Sequence, residues 1–301
     1  MATTRTPSAL LVDLRGMLPT LVPSLRRVAE RILDDPAGAA GQTITQLADN
    51  AGTSETTVLR LCRQLGVRGY RELRVALAAE AGREEARNHG VGTVGRDIGR
   101  HDKLEDIVRT ITTADQQAIA DTTHTLDRAA LAKAVKLIAR ARRIDIYGVG
   151  ASAVVALDLE QKLERIGAVA GARRDVHAAL TSAALLTQRD VAIGISHTGA
   201  TRDTVEALTE AHRHGAHTIG LTSVPRSRLA NVADLVLVTA ARETTFRSGA
   251  MASRIAALSV VDVLFVAVAQ LRYDATIAAL DATRNAVAIR RFRQDEGGQA
   301  Q

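Results

Sequence analysis

One cysteine stands in 301 residues, so no intrachain disulfide can form and a reducing, cytoplasmic setting is expected. Cys62 falls in an apolar stripe and reads as a small core residue, not a redox centre. Lysine is scarce as well: beyond Lys103, Lys133, Lys136 and Lys162, every basic side chain other than histidine is arginine. Long apolar runs are missing. Residues 255–271 come nearest, but Ser259, Asp262 and Gln270 interrupt them, short of the roughly 20 apolar residues a membrane span needs. Asp13 and Arg15 break the first apolar stretch and Pro19 and Pro23 follow, so no secretory leader is expected. No membrane partner is therefore expected.

Hydrophobic residues make up 46 %, which excludes wholesale disorder, and the length suits two domains. The net charge of +6 fits a nucleic-acid partner only if the charge is gathered in one place. Residues 1–82 are helical in pattern throughout. Residues 83–103 lose periodicity and collect Gly90, Gly92, Gly95 and Gly99, as a linker does. From Leu104 onward, helix-length segments alternate with short apolar runs at 144–148, 168–171, 191–195, 216–221 and 234–238. That alternation predicts a five-stranded parallel sheet covered on both faces, an α/β/α domain behind an all-α head. The expected division is a DNA-binding domain at 1–82, a linker at 83–103, a ligand-binding domain at 104–285 and a basic tail at 286–301, disordered at its end.

In the head, Leu25, Val28, Ala29, Ile32 and Leu33 form one helical stripe, which Pro36 and Gly38 are expected to end. Ile44, Leu47, Ala48 and Ala51 form a second. Gly52 supplies a tight turn and Ser54 a cap for a third helix, where Val58, Leu61, Cys62 and Leu65 point one way. Small Ala48, turning Gly52 and apolar Val58 have the spacing of a helix-turn-helix. From Arg60 to Arg74 five arginines face one acid, Glu72. The reading that follows puts Thr45, Ser54, Glu55, Thr56, Thr57 and Arg60 near bases of double-stranded DNA, and Arg63 and Arg68 on phosphates. A plain bundle with a solvated charged face is the bland alternative; the turn, cap and arginine cluster together outweigh it.

In the second domain, VAIGISHTGAT at 191–201 delivers Ser196, Thr198 and Thr201 around Gly199, ahead of a helix from Arg202. Hydroxyls and free N–H groups at a helix start make an anion site, and the absence of lysine excludes a P-loop. YGVGASA places Gly148, Gly150 and Ser152 after an earlier strand. Its glycine spacing also fits a dinucleotide fingerprint, but Arg173 and Arg174 stand before Asp175 where a ribose-binding acid belongs, which disfavours NAD and leaves NADP open. No cofactor and no metal are expected; His212, His214 and His217 read as residues at a helix C-terminus.

Most of the chain, roughly residues 20–275, resembles the RpiR/MurR family of bacterial transcriptional regulators. The resemblance rests on ITQLADNAGTSETTVLRLCRQLGVRGYRELR in the head and on the sugar-isomerase (SIS) signatures YGVGASA, DLEQKLERIG, ISHTGAT and FRSGAMASRIAALSVVDVLF. It implies a five-stranded parallel SIS domain and transcription control by a phosphosugar effector, without catalysis. It also implies that Ser152, Ser196, Thr198 and Thr201 hold the phosphate, with Gly148, Gly150 and Gly199 allowing close backbone approach. His197 departs from the residues expected at its position and either contacts the sugar or faces water; Glu243 is a further candidate for sugar hydroxyls. The expected partners are a DNA operator, a phosphorylated sugar or amino sugar, and further copies of the chain as a homodimer or homotetramer, with helix 250–271 a candidate contact. The competing function is a phosphosugar isomerase or etherase with an accessory helical domain. His197, Glu243 and His177 are its only candidate bases, and none has a recognisable acid–base partner by spacing.

Overall fold

The computed structural model describes residues 10–18, 21–88, 98–241 and 251–288. Among the described residues the head has six helices, α1 (Leu10–Met17), α2 (Pro23–Asp34), α3 (Pro36–Gly41), α4 (Ile44–Asn50), α5 (Glu55–Gln64) and α6 (Tyr70–Asn88). They close on one apolar cluster that includes Leu14, Leu25, Val28, Ile32, Leu47, Leu61, Cys62, Leu73 and Leu77. The helix of the first stripe, α2, ends just before Pro36 as expected, and Pro36 in turn opens α3. Asp35 breaks the run, its side chain accepts from the Gly38 N–H, and Pro36 takes a first-turn position where its missing N–H costs nothing. Helix α6 continues to Asn88, so the first six residues of the expected linker are helical.

Beyond the head, α7 (Leu104–Thr125) and α8 (Arg128–Arg140) lead into β1 (Ile144–Tyr147), α9 (Ala151–Arg165), β2 (Ala170–Arg173), α10 (Val176–Ala183) and β3 (Val191–Ile195). Then follow α11 (Arg202–Arg213), β4 (His217–Thr222), α12 (Arg228–Val232), β5 (Leu235–Val238), α13 (Ala252–Leu271) and α14 (Tyr273–Ala288). The strands form one parallel sheet in the order β2-β1-β3-β4-β5. Strand β2 begins two residues later than the apolar run at 168–171, because Gly167 turns the chain at φ +75° and the Ala168 N–H still bonds to Leu163.

The pleat sorts the side chains. Ile144, Ile146, Val191, Ile193 and Ile195 join α8, α9 and α13 in the larger core, whereas Tyr147 and Ala192 join α10, α11 and α12 in the smaller one. Helix α13 is long and apolar enough to span a membrane by composition, yet it packs against α7, α8 and α9. Because β1 is followed by a helix on one face and β3 by a helix on the other, their C-terminal ends part. That crevice is where open α/β sheets bind ligands.

Candidate functional site: a reading head and a hydroxyl-lined cleft

In the head, Val58, Leu61 and Cys62 bury one face of α5 against α2 and α4. Ser54 caps the helix: its Oγ accepts from the Thr57 N–H at 3.3 Å and shares a hydrogen bond with the Thr57 hydroxyl at 3.1 Å. The Thr45 hydroxyl donates to the Glu55 carboxylate and ties the start of α4 to the start of α5. Gly52, at φ +58°, makes the turn between them. Two bonds unforeseen from the sequence close that turn, from Arg27 Nε to the Ala51 carbonyl (3.1 Å) and from Arg27 Nη2 to that of Gly52 (3.0 Å).

Thr45, Ser54, Glu55, Thr56, Arg60, Arg63 and Arg68 are all exposed and Thr57 is half-buried. Among the described residues, the side chains of Thr56, Arg60 and Arg63 have no hydrogen-bond partner, so they are available to a ligand. Arg74 differs from the rest of the arginine cluster: its Nε donates to the Ala40 carbonyl at 2.8 Å and braces α3.

In the second domain, Ser196 is buried and its Oγ lies 3.0 Å from the Thr201 hydroxyl, close enough for both to face one oxygen. The loop between them turns at Gly199, at φ +62°, where the Gly199 N–H donates to Ser196 Oγ at 3.1 Å. A Cβ at Gly199 would stand 2.0 Å from Ser227 Oγ, so the residue is glycine for space as well as for angle. Thr198 is exposed, with its Oγ1 accepting from the Ala200 N–H.

Helix caps distinguish this edge of the sheet. Helices α10 and α12 are capped by the side chains of Asp175 and Ser227. Helices α9, α11 and α13 have no side-chain cap. At α11 the capping hydroxyl of Thr201 bonds to Ser196 instead. The first-turn N–H groups of α11 thus have no side-chain cap beside the hydroxyls, and the positive helix ends favour an anion there.

A cleft of about 320 Å³ adjoins the loop, lined among others by Ser152, His197, Thr222, Thr239, Ser253 and Arg254. His197 lines it, with Nδ1 2.7 Å from Ser223 Oγ, which in turn lies 2.8 Å from the Thr239 hydroxyl. Arg254 was not anticipated from the sequence. Its signal was a lone cation in the first turn of an otherwise apolar helix, and among the described residues it has no partner. Gly148 is buried where β1 meets α9, and a Cβ there would stand 2.7 Å from the Ser152 carbonyl oxygen. Gly150, at φ +61°, is the residue before α9. The structure therefore brings Gly148, Gly150, Ser152, Ser196, His197, Gly199 and Thr201 to one edge. Glu243 lies outside the described residues. His177 is exposed on α10 and lines neither this cleft nor the one on the opposite face of the sheet.

The sequence matches two family profiles, the rpiR-family helix-turn-helix domain over residues 9–84 and the SIS domain over residues 137–267. It is 38 % identical to an uncharacterized HTH-type transcriptional regulator of Caldanaerobacter subterraneus subsp. tengcongensis, over 94 % of this chain and 98 % of that one. It is 33 % identical to the uncharacterized HTH-type regulator YbbH of Bacillus subtilis, over 94 % and 98 % of the two chains. Among solved structures, the Vibrio vulnificus NanR protein complexed with ManNAc-6P is 32 % identical and covers 94 % of this chain and all of its own, with a TM-score of 0.60. Two relatives of matching length that share both halves carry the conclusion: this chain belongs to the rpiR family of helix-turn-helix transcriptional regulators, with a SIS domain behind the DNA-binding head.

Proposed function

We propose that the protein senses a phosphorylated sugar or amino sugar in its SIS domain and adjusts its grip on a DNA operator accordingly. One observation carries the sensing half. Buried Ser196 and its partner Thr201 sit 3.0 Å apart beside the uncapped starts of α9 and α11, which suits the terminal phosphate of a small ligand. Ser152 and Thr198 complete the phosphate contacts; His197, Arg254 and Glu243 serve the sugar. NanR, 32 % identical, was solved with a sugar phosphate, which supports this ligand class.

The head reads DNA through Thr45, Ser54, Glu55, Thr56, Thr57 and Arg60, with Arg63 and Arg68 on the backbone. We divide the chain accordingly into a head at 1–82, a connector at 83–103, the effector domain at 104–285 and a basic tail at 286–301. A single helix-turn-helix covers little DNA, so the working unit is a homodimer or homotetramer, with half-sites about 34 Å apart or a multiple of that. Val263 and Val266, exposed at 46 % and 60 % on α13, offer one contact face. Coupling of about 1–3 kcal/mol between cleft and head would change operator affinity about 5–150-fold. In this reading the protein acts in the cytoplasm and is not an enzyme, which its relatives of matching length, named as transcriptional regulators, support.

The decisive experiment is a thermal-shift screen of phosphorylated pentoses, hexoses and amino sugars, followed by operator binding with each hit. A hit that stabilises the native protein, fails with Ser196→Ala/Thr201→Val and changes operator affinity is the expected result. Sustained turnover of the hit to an isomer would assign the protein to catalysis instead.

A further inference from the structure

A second cleft, of about 190 Å³, opens on the other face of the sheet between the ends of β1 and β2 and the start of α11. Arg173, Arg174, Asp175, Asp203, Thr204 and Tyr147 are among its lining residues. It shares no lining residue with the cleft beside the Ser196–Thr201 loop, although Gly148, one of the proposed effector residues, lines it as well.

Thr204 is the pointer. It is 1 % exposed, and its Oγ1 has no hydrogen-bond partner among the described residues. The Thr204 methyl lies 3.5 Å from where a Cβ on Gly194 would stand, which packs the methyl against the sheet, and the residue is part of the cleft lining. A buried hydroxyl left unbonded is costly, and native proteins rarely tolerate one without a reason. It sits in the first turn of α11, whose N–H groups no side chain caps.

The arginines are arranged for an anion. Asp145, fully buried on β1, accepts from Arg143 Nε at 2.9 Å and from Arg173 Nη2 at 3.4 Å, and Arg173 Nε also donates to Ser182 at 3.1 Å. Arg173 is thereby held folded back over Gly171, where any Cβ would stand 2.7 Å from its Nη2. The pair of arginines exceeds the one buried carboxylate by a charge. Arg174 beside them has no partner among the described residues. Of the two lining acids, Asp175 is engaged in capping α10 and Asp203 is not.

We propose that this cleft is a second anion subsite, taking the phosphate or carboxylate group of a small ligand on Arg174 and the Thr204 hydroxyl. Its test is titration of the full-length protein with inorganic phosphate and, separately, with acetate, which tells the two chemistries apart. Thr204→Val and Arg174→Ala are each expected to weaken this site about tenfold or more, as loss of a bond to a charged group does. Asp203→Asn removes the one opposing free carboxylate and is expected to tighten it. Thr204→Val is also expected to melt no lower than the native protein, since it replaces an unbonded hydroxyl with a methyl of the same shape. Ser196→Ala/Thr201→Val should leave this site intact, so its failure and failure of the effector reading give different patterns. Saturation by neither anion, or anion binding that Thr204→Val and Arg174→Ala leave unchanged, overturns the proposal.

Discussion

The Arg226 guanidinium donates a 2.7 Å hydrogen bond to the main-chain carbonyl of Gln64, joining the turn after β4 to the last residue of α5. That turn is not remote from the ligand cleft. Its Ser223 bonds His197, its Ser227 fills the space beside Gly199, and the Leu229 N–H donates to the Gly199 carbonyl at 2.9 Å. A cation at a helix C-terminus also meets the negative end of the helix dipole. The loop of the proposed phosphate site and the proposed reading helix are thus two steps apart.

Arg226→Ala should therefore change operator affinity while leaving affinity for the sugar phosphate as it was. Loss of one exposed hydrogen bond corresponds to about a two- to tenfold change. Fluorescence anisotropy on a labelled operator, with and without effector, reads it. Identical operator curves for variant and native protein in both conditions would show that the contact has no part in signalling.

Two arginines of the head should behave in opposite ways. Arg60→Ala is expected to weaken operator binding by about 1–3 kcal/mol if it reads a base, with the melting temperature unchanged. Arg74→Ala removes the brace to Ala40 and should lower stability by about 1 kcal/mol, with little direct loss at the DNA. Matching losses of DNA affinity in the two folded variants would refute the division of labour.

Asp190 predicts an acid-sensitive joint. Burial alone would raise its pKa, but bonds from Arg142 (2.9 and 2.7 Å) and from the Thr187 N–H and hydroxyl (2.8 and 2.9 Å) outweigh it and hold the carboxyl below its ordinary value. The folded pKa lies below the unfolded one, about 3.9, so the contribution is present above that pH and lost as pH falls through the folded pKa. Asp190→Asn should cost about 2 kcal/mol at neutral pH and flatten the acid limb of the stability curve. Denaturant titrations across the acid range measure both.

Cys62 should be inert. Burial pushes its thiol up to about 11, against a smaller lowering by a backbone hydrogen bond. At neutral pH the native protein is expected to leave a thiol reagent unreacted until denaturant is added. Rapid labelling without loss of fold would show that the head opens readily around α5.

Much of this molecule was legible in its sequence, for reasons that differ between the parts. Alternating apolar runs and helix-length segments give five parallel strands, because a sheet buried on both faces needs such runs. Gly52 and Ser54 mark the turn and cap of α5 because turn and cap geometry is local. What escaped is non-local. Arg27 reaches the turn 24 residues later, and Thr222, Thr239 and Arg254 meet Ser152 only through the strand order. Pro36 marks the end of α2 as expected, but the short helix it begins was missed, because that start depends on the Asp35 cap. Thr204 gave no signal at all: an unbonded hydroxyl is a property of packing, not of spacing.

Strands β2 and β5, at the two margins of the sheet, are only four residues long, and β2 lies beneath the folded-back Arg173 side chain. Short margins under a bulky cation make a poor template for another chain's backbone. Copies of this protein should accordingly associate through helical surfaces rather than by extending the sheet. An assembly of that kind can slide or rotate as its ligands change without breaking a ladder of main-chain bonds.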